Sequence, residues 1–96
     1  MTAYVVAQIS IHDRARYDRY VAGFLPTLRA YSGRLLAAQE QPQVLEGDWD
    51  REKVILLAFP DQAQALAWAA SGEYQAIAAD RLAASEGPVL LIQGYT

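Results

Sequence analysis

The chain has 96 residues, no cysteine and a formal charge of -3. Its length fits one compact domain and leaves no room for a second core. The acidic balance argues against a nucleic-acid partner, whose phosphates need clustered Lys and Arg, and the missing cysteine excludes disulfides, thiolate catalysis and Cys-based metal sites.

Met1 to Ala7 is short, has no basic flank and runs into Gln8, so it predicts neither a signal peptide nor a spanning helix. A cytoplasmic setting with no membrane partner is the expectation. Residues 3–11 alternate with a period of two, Val5, Ala7, Ile9 and Ile11 against Tyr4, Val6, Gln8 and Ser10, which predicts a strand. Asp13 reads as an N-cap, and Tyr17, Tyr20, Val21, Phe24, Leu28 and Tyr31 recur at three- and four-residue spacing, predicting an amphipathic helix over 14–31. Arg14, Arg16 and Arg19 are interleaved with Asp13 and Asp18, the pattern of a solvated helix face. Pro26 inside this stripe predicts a kink or break near Phe24 and Leu25, and Gly33 is the C-cap candidate.

Residues 34–40 read as a second strand, continued by 44–46 beyond an irregular Gln41-Pro42 step. A proline there places the strand at a sheet edge. Residues 47–50 form a turn by composition, which makes 53–59 the return strand of a hairpin. Asp61 caps the next helix, Ser71-Gly72 interrupts it, and Ser71 caps a restarted segment bearing Tyr74, Ile77, Arg81 and Leu82. After Gly87-Pro88, residues 89–93 form the last strand.

The order is strand, helix, strand, strand, helix, strand. It specifies an α+β, ferredoxin-like βαββαβ fold, a four-stranded antiparallel sheet with two interrupted helices on one face. The open face of such a sheet is normally polar, yet residues 54–59 and 89–92 are apolar on both sides. Taking Tyr4, Val6, Ile55, Leu57 and Phe59 as the uncovered set leaves five side chains facing water at ~1.5 to 3 kcal/mol each, so a homodimer with two sheets face to face is expected.

The segments Ala3-Tyr4-Val5-Val6, Tyr17 with Tyr20, Tyr31-Ser32-Gly33-Arg34, Val44-Leu45-Glu46-Gly47-Asp48-Trp49, Phe59-Pro60, Ala67-Trp68 and Ser71-Gly72-Glu73-Tyr74-Gln75 carry a resemblance over almost the whole chain. The sequence resembles the domain of unknown function 1330 family, within the dimeric αβ-barrel group. It departs from that pattern at Ala38-Gln39-Glu40, where the family often has Arg-Gly-Gly, and at Ala69, where it often has Tyr. The resemblance implies the fold and a dimer but no settled activity. Cofactor-free monooxygenases are relatives at the level of fold, an analogy that does not transfer chemistry.

His12 is the only histidine and reads as a weak catalytic candidate for proton transfer, or as a turn residue beside an N-cap. No spacing of His, Asp and Glu completes a metal site, and no Gly-rich loop follows a strand, so neither a metal nor a nucleotide cofactor is expected. Tyr20 and Phe24 read as core. Tyr17, Tyr31, Trp68 and Tyr74 combine apolar bodies with polar tips, and beside Arg34 or Arg81 they are candidates to line a small-ligand site. Glu46 and Trp49 in the hairpin are candidates for turn anchor or dimer contact. The expected function is binding or converting a small aromatic or polyketide-like molecule without a cofactor. The alternative is a non-catalytic dimeric structural or regulatory module.

Overall fold

In the computed structural model, which describes residues 1–95, the chain runs β1 (Ala3–Ile11), α1 (Arg14–Arg29), β2 (Arg34–Glu40), β3 (Lys53–Phe59), α2 (Gln62–Ala70), α3 (Gly72–Ala84), β4 (Ser85–Glu86) and β5 (Val89–Gln93). The sheet is antiparallel in the order β2-β3-β1, and β1 is completed on its other side by β5 along Ala3 to Ala7 and by β4 at Ser10 and Ile11.

Each helix begins where a side-chain oxygen accepts an otherwise orphaned backbone N–H. Asp13 accepts from Arg16, Asp61 from Gln64 and Ser71 from Tyr74. The Ser71 hydroxyl also donates to the Trp68 carbonyl at 2.7 Å, so one residue ends α2, starts α3 and fixes the angle between them.

Three expectations need correction. α1 passes through Pro26 without the break that was one of the two expected outcomes and ends at Arg29; Pro26 lies on the exposed side, so the ring points to solvent and the helix loses one backbone donor to the preceding turn. Gly33 is not the left-handed residue of the following turn, since Ser32 takes that conformation with φ 60. The glycine is required because a Cβ there would sit 2.6 Å from Leu28 and Phe59. Finally, residues 44–46 do not extend β2. Gln41, at φ 53, turns the chain out of the sheet, and residues 41–52 form a long connection whose Trp49 indole donates to the Gln8 side chain at 3.0 Å.

Register decides which side chains the helices cover. Ala3, Val5 and Ala7 stand opposite Phe59, Leu57 and Ile55, while Tyr4 and Val6 stand opposite Ala58 and Leu56. Directly opposed residues share a face. Leu57 and Phe59 are 3% and 1% exposed, and Phe59 packs on Trp68 with centroids 5.4 Å apart. Ile55, Leu57 and Phe59 therefore point toward the helices, which corrects their expected place on the open face. Tyr4 and Val6 do lie on that face, joined by Val54, Leu56, Leu90 and Ile92. The helix-side core is aromatic, Tyr17, Tyr20, Phe24, Phe59, Trp68 and Tyr74. No helix among the described residues is long and apolar enough to cross a membrane.

Candidate functional site

Bulky rings hold α1 and α3 away from the sheet, and a cleft of about 100 Å³ remains between them. Its sheet side is Val5, Ile9, Ile55 and Leu57, and Leu35 and Ala38 reach it from the edge strand. Its helix side is Tyr17, Tyr20 and Phe24 from α1, with Trp68 and Tyr74 from α2 and α3. A second cleft of about 290 Å³ lies between β5 and the α2–α3 pair, and Val5, Trp68, Tyr74, Arg81 and Val89 line both.

The polar groups of the first cleft are few and mutually arranged. The Tyr20 and Tyr74 hydroxyls are 3.1 Å apart, and Arg81 donates through Nε to the Tyr74 oxygen at 3.2 Å. The Trp68 indole donates to Thr27 Oγ1 at 3.2 Å, and Thr27 donates to the Phe24 carbonyl, so the ring is locked by a satisfied chain. Lys53 places its ammonium 4.8 Å from the Tyr17 ring centroid, a cation–π contact. Beside this corner Arg14 pairs with Glu40, the cross-strand neighbour of Lys53.

Burial shifts these groups toward their neutral forms. It pushes the Tyr17 phenol up to about 12, and it raises Tyr20 strongly, helped by the neighbouring Tyr74. Burial also draws the Lys53 ammonium below its usual value, opposed by the negative charge of Glu40. A consequence can be measured. Tyr17 ionises at 10.0 when unperturbed and near 12 in the fold. Its stabilising contribution is complete below pH 10 and is lost as pH rises to about 12, because within that window the unfolded chain releases the proton and the folded chain keeps it. Denaturant melts taken across the window should show stability falling less steeply for Tyr17→Phe than for the unaltered chain; equal slopes would remove Tyr17 as the cause.

Of the residues singled out from the sequence, Tyr17, Trp68, Tyr74 and Arg81 line the cleft together. Tyr31 does not: its hydroxyl donates to Glu73 at 3.3 Å on the outside of α3. Arg34 is opposite Ala58, which is opposite Tyr4, so it belongs to the open face of the sheet and not to the cleft. His12 is exposed in the β1–α1 turn, where its backbone N–H donates to the Ala84 carbonyl, and its ring has no place in the lining. Glu46 is exposed in the connection between β2 and β3. Among the described residues no group of three His, Asp or Glu could hold a metal ion.

Two lining residues with polar groups, Tyr20 and Lys53, are not among the ligand candidates that the sequence suggests. Tyr20 is helical core by spacing, and only the structure sets its hydroxyl against that of Tyr74. Lys53 had a usable signal, because it alternates in phase with Ile55, Leu57 and Phe59 and so had to face whatever those residues face.

Solved structures share this architecture at low identity. RPA0582 of Rhodopseudomonas palustris, a protein of unknown function, is 13% identical with a TM-score of 0.83 over 99% of this chain and 83% of its own. SnoaB of Streptomyces nogalater, a cofactor-independent oxygenase, is 14% identical with a TM-score of 0.71 over 99% and 94%. A dimeric ferredoxin-like protein of unknown function from Jannaschia sp. CCS1 is 15% identical with a TM-score of 0.64 over 100% of both chains. Likeness at these identities shows the ferredoxin-like fold. None of the curated proteins matches the sequence. The model of the domain of unknown function DUF1330 matches residues 2–95, and with the βαββαβ order and the aromatic cleft in place, the chain belongs to that family.

Proposed function

We propose that the protein is a homodimer joined through the open faces of its sheets, and that each protomer binds or converts a small, flat, largely apolar molecule in the cleft between sheet and helices, without a metal or nucleotide cofactor. The observation that carries this reading is the cleft itself. An open volume of about 100 Å³ exceeds what one or two waters need, roughly 10 to 15 Å³ each, and it is walled almost wholly by apolar and aromatic side chains with a few convergent polar groups. A void of roughly 150 Å³ with such walls accepts a benzene ring; this cleft is smaller, so it takes at most one ring and lets the rest of a larger ligand project from its mouth.

The dimer is supported by the apolar open face, and by the shared fold of the Jannaschia protein, which is described as dimeric. SnoaB, described as a cofactor-independent oxygenase, is an instance of such conversion on the same fold, an analogy at the level of fold alone. A second reading, a non-catalytic dimeric module, draws on the Trp68 and Tyr74 tips, both already hydrogen-bonded within the protein.

Equilibrium dialysis against fused-ring aromatics separates the two. Naphthamide should bind at one molecule per protomer, and Ala38→Trp, which fills the cleft from the exposed edge strand, should abolish binding. No binding by any ring compound, or binding indifferent to Ala38→Trp, would favour the module.

A further inference from the structure

We propose that the molecule taken by the cleft is an anion, a flat apolar body carrying one acidic oxygen group (a carboxylate, or a phenol or enol ionised on binding) held between Lys53 and Arg81. This rests on the cleft being a small-molecule site and adds the charge of what fills it.

The first argument is a count of charge by position. Among the described residues Lys53 and Arg81 are the only charged ones lining the cleft, and both are cations. Among the described residues neither lies within ion-pair distance of a carboxylate. The acidic groups nearby are engaged elsewhere. Glu40 pairs with Arg14, Asp80 holds Arg16 and Arg19, and Glu52 accepts the backbone N–H of Ile11 at 3.0 Å. Asp18, the other carboxylate whose charge reaches Lys53, is exposed on α1.

The second argument is the donor capacity of Arg81. A guanidinium has five N–H donors in a fixed fork. Arg81 spends Nε on the Tyr74 oxygen, and among the described residues its terminal nitrogens donate to no protein group. They remain available for two parallel bonds to a carboxylate or a single bond to a phenolate. The Nε bond meanwhile fixes the direction of the fork, and the Tyr20–Tyr74 pair anchors it from behind.

The third argument is energetic. A cation beside apolar walls with no carboxylate within ion-pair distance carries a desolvation cost, visible at Lys53 as an ammonium that burial draws below its usual pKa although the charge of Glu40 opposes the shift. An anion entering between the two cations offsets that cost, and a neutral ligand of the same shape does not. The chain as a whole has a charge of -3, so the two cations of the cleft stand against an acidic background. Tyr17 feels both cations: the Lys53 ammonium sits over its ring, and the charge of Arg81 acts on its hydroxyl.

Naphthoate and naphthamide have nearly the same shape and differ in charge, so their affinities measured by equilibrium dialysis at neutral pH form the test. The unaltered protein should bind naphthoate about tenfold or more tightly than naphthamide, as expected for hydrogen bonds to a charged group. Lys53→Met and Arg81→Met should each shrink that preference toward unity. Arg29→Met, which removes the same charge from an exposed position outside the cleft, should keep it. If Arg81→Met does not fold, the Lys53→Met result decides. Equal binding of the two ligands, with naphthamide still excluded by Ala38→Trp, overturns the anion and leaves the cleft standing as a ligand site. A preference that survives both Met substitutions also overturns it, and binding of neither ligand removes the inference together with the reading beneath it.

Discussion

The unaltered chain should sediment as the proposed dimer, and an Ile92→Glu chain should sediment as a folded monomer at the same concentration. Ile92 stands opposite Tyr4 on the open face of the sheet and is 49% exposed in the isolated chain, so a carboxylate there disturbs little within the protomer. Against a second sheet the same carboxylate loses its water. The penalty for a buried, unpaired charge is several kcal/mol, and two-fold symmetry introduces it twice. Dimer affinity should fall by about a hundredfold or more. Leu82→Glu provides the comparison, since Leu82 is an equally apolar but more exposed residue of α3, on the far side of the molecule from the sheet face. It should leave the dimer intact. If Ile92→Glu also remains dimeric, the two sheets do not meet through this face.

The second large effect is expected at Gly87. This residue joins β4 to β5 at φ 142, where side chains are strained, and a Cβ there would lie 2.0 Å from the Gln8 carbonyl oxygen and 2.9 Å from the Ile9 Cα. Both contacts are backbone, so no rotamer change relieves them. The chain runs beside Gln8 and Ile9 of β1 at this point, exchanging pairing at Ser10 and Ile11 for pairing at Ala3 to Ala7 along the same edge, and a shift would disturb both ladders. Gly87→Ala should cost about 3 to 5 kcal/mol and lower Tm by more than about 12 °C for a domain of this size. Gly47→Ala is the matched control. Its φ of 80 carries the same kind of backbone strain, but nothing lies within 4 Å of the added Cβ, so the loss should stay near 1 kcal/mol. Similar melting shifts for the two variants would mean that the close approach at Gly87 is not what requires glycine.

The parts of the fold legible in the sequence are those governed by local chemistry. Asp13, Asp61 and Ser71 each precede an apolar period and each caps the helix that follows. The edge position of β2 followed from the nearby proline, although the strand ends at Glu40, before Pro42 is reached. What the sequence left undetermined was register. Residues 54–59 are apolar at every position, so alternation alone cannot say whether Leu56 or Leu57 meets the helices; only pairing with β1 settles it. The same ambiguity misplaced Arg34, one residue from Leu35, which does reach the cleft. Tyr31 was misjudged for another reason: helix spacing gives a direction around the axis, and α1 has already ended before that residue. Tyr17, Trp68, Tyr74 and Arg81 were legible because each lies well inside a helix or at its capped start, where spacing and direction agree.

The irregularities of the outer strands bear on how this sheet avoids growing without limit. A strand at a sheet margin offers a row of unsatisfied N–H and C=O groups, an invitation to add a further strand and then another, as in fibrils. β2 is such a margin, and all seven of its residues are exposed. Its ladder slips between Leu35 and Ala37, and the left-handed Gln41 followed by Pro42 turns the chain away just past its end. The other margin is divided between β4 and β5, with Gly87 and Pro88 between them. Neither border presents a long, straight template. With lateral addition discouraged at both borders, the proposed association is left to closed pairing through the sheet face, which stops at two.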